Sequence, residues 1–231
     1  MSVKKILAGE LINLRCLCLG LLIAGLPLLA PAVATAEAPG DAPGDSSLDK
    51  SAEQALGDAL ATIQQLSGRF RQTIYPEAGG RATTSTGEFR LQAPGRFLWQ
   101  IEAPDNQLVV TEGTYLWHYD ADLETVTRRP VSATASAPLQ VLAGDRDSLA
   151  RDFTVSRRGE KAYTLFPTDP EAGFQVLELD FENGLPVALA IVDNLSQRIE
   201  IRLEAISTEA FDAAIFNFSP PDGVDVFIHD D

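Results

Sequence analysis

Thiols are nearly absent from this chain. Its two cysteines, Cys16 and Cys18, both fall near the start, inside an apolar run. Neither follows the small residue that a lipid-modified cysteine needs at the end of such a run; Arg15 and Leu17 stand there instead. The exported protein is therefore expected to have no thiol, disulfide or lipid anchor, and to be held together by core and sheet alone. Histidine is as scarce, with only His118 and His229. Without cysteine or a His-x-x-x-His pair there is no basis for a zinc site. No G-x-S-x-G elbow supports a Ser-His-Asp triad, and no G-x-x-x-x-G-K-[ST] loop would let the chain drive its own work with ATP.

Positive charge is also in deficit. Eighteen lysines and arginines face 33 aspartates and glutamates, a net of −15. Such a surface repels nucleic acid and anionic membranes, which are excluded as partners. The acids do not form a recognisable centre. Asp120, Asp122 and Glu124 open like a calcium loop, but Thr125 and Val131 occupy the positions that need glycine and acid, so the run reads as a solvated turn. Asp145/Asp147 and Asp222/Asp225 lie in turn-like sequence, with nothing marking an acid–base couple. No metal, cofactor or enzymatic activity is expected.

What is present begins with "MSVKKILAGELINLRCLCLGLLIAGLPLLAPAVATAEA". Lys4 and Lys5, the apolar run Leu17 to Val33 and the small-x-small Ala34-Thr35-Ala36 fit a cleaved secretory signal over residues 1–36. Pro27 and Pro31 argue against a retained anchor helix. No second long apolar run follows, so a soluble, monomeric exported protein is expected. Residues 37–48 repeat A-P-G-D and read as a flexible leader. Residues 49–231 suffice for one domain.

That domain opens on "SAEQALGDALATIQQLSG". Ser51 and Gln54 have capping-box spacing, Leu56, Ala59, Leu60, Ile63 and Leu66 follow helical periodicity, and Gly68 suits a stop. From Arg69 the texture changes to short alternating runs broken by turns such as Glu112-Gly113 and Asn183-Gly184. Strands are expected at 69–75, 83–92, 96–102, 106–111, 115–120, 124–129, 153–158, 162–167, 175–182, 186–193 and 197–205. A short helical insert, "APLQVLAGDRDSLA", interrupts them at 137–150. The fold class is mainly β (α+β): one domain, about eleven antiparallel strands curling into an incomplete, unclosed barrel, with a helical lid over the concave face.

Apolar side chains recur along one face of several strands, at Phe70/Gln72/Ile74, Phe97/Trp99/Ile101, Leu108/Val110 and Tyr115/Trp117/Tyr119, with His118 opposite the last set. Ordinary sheet core explains such stripes in most β proteins. One four-turn helix and a short insert, however, leave much of an eleven-stranded face uncovered. Open apolar surface of that size marks a binding site, and the mouth of a barrel is a usual place for one.

Several pieces together carry a family resemblance. They are F-R-Q at 70–72, "APGRFLWQIEAPDNQLVVTEGTYLWHYDADLETVTRRP" at 93–130, "APLQVLA" at 137–143, "LFP" at 165–167 and "FNFSPPDGVDV" at 216–226. In that order, after a signal, they resemble the LolA family of periplasmic lipoprotein carriers over residues 48–228. The resemblance implies an eleven-stranded open barrel whose interior holds lipoprotein acyl chains. It also implies partners: acylated lipoproteins, an inner-membrane ABC transporter that loads the carrier, and an outer-membrane receptor that unloads it. The expected cavity residues are Phe70, Ile74, Phe97, Trp99, Ile101, Leu108, Val110 and Trp117. Leu56, Leu60 and Ile63 are expected on the leading helix, and Leu139 and Leu142 on the lid insert. One position departs from the family. Where an arginine usually precedes Pro and is thought to hold the lid shut, this chain has Ala93, and Arg90 and Arg96 should point to the other side of the sheet. A more loosely closed lid, or a lipid-binding or regulatory paralogue with different cargo, is the expected consequence.

Overall fold

The computed structural model describes residues 46–77, 79–131, 138–143, 146–170 and 172–229. A helix, α1 (Ser46–Ala61), leads into six strands: β1 (Gln65–Tyr75), β2 (Thr83–Gln92), β3 (Arg96–Ala103), β4 (Gln107–Thr111), β5 (Tyr115–Asp120) and β6 (Thr125–Pro130). Two short helices follow, α2 (Pro138–Ala143) and α3 (Arg146–Asp152). Then come β7 (Phe153–Arg157), β8 (Ala162–Pro167), β9 (Phe174–Glu182), β10 (Leu185–Asp193) and β11 (Arg198–Ser207). A 3-10 turn (Ala213–Phe216) and a last strand, β12 (Asp225–Ile228), end the described chain.

All twelve strands belong to one sheet, ordered β12-β6-β5-β4-β3-β2-β1-β11-β10-β9-β8-β7. Every strand predicted from the sequence is present, and the sheet is open, with β12 and β7 at its edges. The order explains where the lid lies. Strand β6 is one place from one edge and β7 forms the other, so the connection between them must cross the width of the sheet. It carries α2 and α3 with it. Helix α2 packs on β2 and β3, while α1 packs on β7 and α3. Lid and sheet share one buried cluster, from Leu56 and Leu60 of α1 through Phe70, Phe97 and Trp99 to Leu165, Leu177 and Leu189.

Two local expectations are corrected. Helix α1 starts at Ser46, within the expected leader, so Ser51 lies inside it and is not its N-cap; it ends at Ala61, and Leu66 and Gly68 belong to β1. Ile63 follows the helix in a turn closed by its N–H on the Leu60 carbonyl, and it is still buried. The physical reason is at Gly68. A Cβ there would come within 2.7 Å of the Glu204 carbonyl oxygen and 2.9 Å of Phe89. The glycine permits close strand and ring approach rather than stopping a helix. The second correction is β12, a four-residue strand parallel to β6 that the sequence reading omits. It is too short to show a period and has no turn to announce a hairpin.

The C-terminal segment builds a second, smaller apolar patch on the convex side. Val110, Val126, Phe216 and Val226 are buried there, outside the main cluster. Phe218 lies 5.6 Å from Trp117 and 6.2 Å from Tyr119, ring centre to ring centre. Among the described residues, no helix is long and apolar enough to cross a membrane.

Candidate functional site

The inner face of the sheet is read off by register, because residues directly opposite on neighbouring strands share a face. Phe97, Trp99 and Ile101 of β3 point inward. Trp99 pairs with Phe89 on one side and Val109 on the other. Phe70 of β1 lies opposite Gly87 of β2. With no side chain at 87, the Phe70 ring reaches across β2 and stacks on Trp99, with centroids 3.7 Å apart and planes 19° from parallel. Phe89 stands 6.0 Å from the same indole. Trp99, Phe70, Phe89 and Phe97 are all at most 2 % exposed, closed over by the lid.

Of the predicted cavity residues, the structure brings Phe70, Phe97, Trp99 and Ile101 together, with Ile74 half-buried on the same face. Leu108, Val110 and Trp117 face the other way. Val110 pairs with Leu98 and with Trp117, all on the convex side. The inward residues of β4 and β5 are Gln107, Val109, Thr111, Leu116 and His118. Leu108-Val109-Val110 is unbroken apolar sequence, so its parity could not be read without the pairing, and a one-residue slip reverses every side chain. Residues on β8 to β11, such as Leu165, Leu177, Leu189 and Ile201, complete the wall. Their alternation was visible, but no aromatic marked them.

On the lid side, Leu56 and Leu60 of α1, Ile63 after it, and Leu142 of α2 are buried against this wall. Leu139 lies on α2, and its side chain is outside the described residues. Ala93 has no side-chain donor; its main chain extends the β1–β2 ladder, and the same turn touches the lid insert through the Gly95 main chain. The Ala93 N–H donates to the Gln64 carbonyl at 3.0 Å, and the Gly95 N–H to the Ala143 carbonyl, at the end of α2, at 2.6 Å. Thr111 braces that turn: its fully buried hydroxyl donates to the Gly95 carbonyl and accepts from the Phe97 N–H, both at 2.9 Å. Arg90 bonds Glu88, and Arg96 bonds Gln92; both lie on the convex side, away from the lid. A cleft of about 370 Å³ opens beside Ala93, lined by Thr62, Gln64, Gln65, Gln92, Ala93, Thr208 and Ala210.

The opposite end of the inner face is more polar. His118 Nε2 meets the Gln107 carbonyl oxygen at 3.1 Å, and the Gln107 amide donates to Asp120 Oδ2 at 3.0 Å. The other Asp120 oxygen accepts the N–H groups of Asp122 and Leu123. Thus Asp120 is a buried turn brace rather than a solvated acid, and among the described residues no cluster of three His, Cys, Asp or Glu side chains is placed to hold a metal. Burial pushes the His118 pKa below its ordinary 6.5, against the pull of Asp120 and with a smaller push from Arg129. The unfolded chain then takes up a proton near pH 6.5 that the folded chain refuses. Stability should fall as the pH drops below that value, down to the lowered folded pKa. Urea midpoints at pH 7.5 and 5.5 should converge in His118→Phe; an unchanged gap would remove His118 as the source.

Residues 61–219 match the family model "Outer membrane lipoprotein carrier protein LolA". The chain belongs to the LolA family. It is 36% identical to the outer-membrane lipoprotein carrier protein of Chromohalobacter salexigens over 176 residues, covering 74% of this chain and 84% of that one. The carrier protein of Halorhodospira halophila is 35% identical over 175 residues, with 75% and 84% covered. Among solved structures, an uncharacterized conserved protein from Thermus thermophilus superposes with a TM-score of 0.51 at 11% identity, covering 76% of this chain and 98% of that one, a likeness of fold alone. The LolA match takes in β1 to β11, both lid helices of the β6–β7 connection and the 3-10 turn, and leaves β12 outside.

Proposed function

We propose that this protein is an exported, periplasmic carrier that takes lipoprotein acyl chains onto the inner face of its sheet and delivers them to the outer membrane. The observation that carries this reading is the continuous apolar wall around Phe70, Phe97 and Trp99, roofed by helices of which α2 is tied to the β2–β3 turn by the Gly95–Ala143 main-chain hydrogen bond. A roof that meets the wall through apolar side chains can lift without breaking the sheet. Membership of the LolA family supports the same reading.

Energetics assign the remaining roles. Each buried CH₂ is worth roughly 0.8 kcal/mol, so drawing a multi-chain lipid from a bilayer costs tens of kcal/mol before the carrier offsets it. The chain has no ATP-binding loop of its own, so loading falls to an inner-membrane ABC transporter. Unloading follows a difference of affinities toward an outer-membrane receptor. Ala93 favours one variation, a carrier whose α2 is held at the β2–β3 turn through the Gly95 main chain rather than a side chain at 93, and whose cargo differs from that of arginine-latched relatives.

The test is direct. Protein purified from the periplasm should carry lipoproteins or acyl lipids detectable by mass spectrometry, and it should release newly acylated lipoproteins from spheroplasts. Protein free of lipid that also releases none would overturn the proposal.

A further inference from the structure

Two polar side chains interrupt the apolar wall without finding partners. Gln72 of β1 is 7% exposed and Ser85 of β2 is 6% exposed. They lie directly opposite one another, and on its other side Gln72 faces the buried Ile201 of β11. Gln72 is one inward position along β1 from Phe70, and so from the Phe70–Trp99 stack. Neither side chain hydrogen-bonds to any described residue. The other polar groups of this face differ. Gln107, Asp120, Thr111 and His118 are all bonded to one another or to backbone. Asp193 Oδ1 is held in the β10–β11 turn by the N–H groups of Leu195 and Gln197, while its enclosed Oδ2 has no partner among the described residues.

Although both residues are largely buried, their polar atoms are not fully enclosed, so each keeps a little accessible surface through which it can meet an incoming acceptor. Leucine at 72 and alanine at 85 would suit an ordinary core better. Two donors on adjacent strands of an apolar wall instead match an acceptor that arrives with apolar material. An acyl ester supplies that acceptor, because its carbonyl is the first polar atom beyond the methylenes. We infer that Gln72 and Ser85 form a carbonyl-binding point within the apolar wall, fixing the depth at which a glycerol-linked acyl ester sits while its chain runs along Phe70 and Trp99. This rests on the carrier reading above and adds the part of the ligand that is recognised.

The experiment uses the full chain with two probes, a diacyl-glyceryl lipopeptide and its dialkyl ether counterpart, which keeps the chains but lacks the ester carbonyls. The unsubstituted protein should bind the ester about tenfold tighter, as one well-made hydrogen bond implies. Gln72→Leu, Gln72→Met and Ser85→Ala should bring the ratio toward one by weakening the ester alone. Equal binding of ester and ether by the unsubstituted protein overturns the inference and leaves the carrier reading intact. Variants that keep the ratio, or that weaken both probes together, overturn it as well. If the unsubstituted protein binds neither probe, the carrier reading falls and this inference with it.

Discussion

Gly87→Ala is expected to destabilise the protein by about 3 kcal/mol or more, at the upper end of what overpacking causes. The added methyl would overlap the Gln100 carbonyl oxygen of β3 and press within 2.9 Å of the Phe70 ring. Backbone cannot rotate away as a flexible side chain can, so β2 and β3 must separate or Phe70 must leave Trp99. Either movement opens the centre of the inner face. Urea unfolding followed by tryptophan fluorescence in a Trp117→Phe background checks both consequences, because Trp99 is then the one emitting indole. A midpoint within error of the parent protein, with unchanged emission, would mean that the sheet absorbs the methyl and that this account of Gly87 is wrong.

Trp99→Ala should cost about 3–5 kcal/mol, the range for deleting a fully buried large aromatic. The indole is the largest of the fully buried side chains and touches Phe70 and Phe89. Trp99→Phe should recover most of the loss. A double-mutant cycle with Phe70→Leu should give a coupling of about 0.5–1.5 kcal/mol beyond the area term, as stacked aromatic pairs do. Additive effects in that cycle would argue against direct stacking. Under the carrier proposal, Trp99→Ala also empties space next to the proposed acyl path. An apolar fluorescent probe should then enter faster even though the protein is less stable, a combination that simple unfolding would not produce at low denaturant.

Most of the architecture was legible because strand signals are local. Alternation is clear in Glu88 to Gln92 and, apart from Leu98, in 96–102, and most turns carry glycine, proline or asparagine. The register between strands is not local. Tyr115-Leu116-Trp117 has apolar side chains on both faces, and only the pairing of Trp117 with Val110 assigns the indole to the convex side. The convex side then proves to be covered by the C-terminal segment, whose Phe218 meets Trp117 across a hundred residues of sequence. Gln72 was visible as a polar interruption between Phe70 and Ile74, but its lack of a partner becomes a fact only in three dimensions. Likewise, a side-chain latch can be sought in a sequence, whereas the main-chain bond from Gly95 to Ala143 cannot, since any residue but proline could donate it.

The strand order has a further consequence, for the time course of folding. Strands β1 to β6 extend in one direction from the middle of the sheet and β11 to β7 in the other, and the two halves join only where β1 pairs with β11. That seam links residues near 70 with residues near 200, so a long loop must close before it forms. The rest of the antiparallel sheet pairs consecutive strands, so this seam is the pairing whose loop closure comes late and slows folding. Until the seam closes, Phe70 has only half of its surroundings, and the lid helices have no complete face to cover. Nearly the whole chain must therefore emerge before the apolar wall is buried.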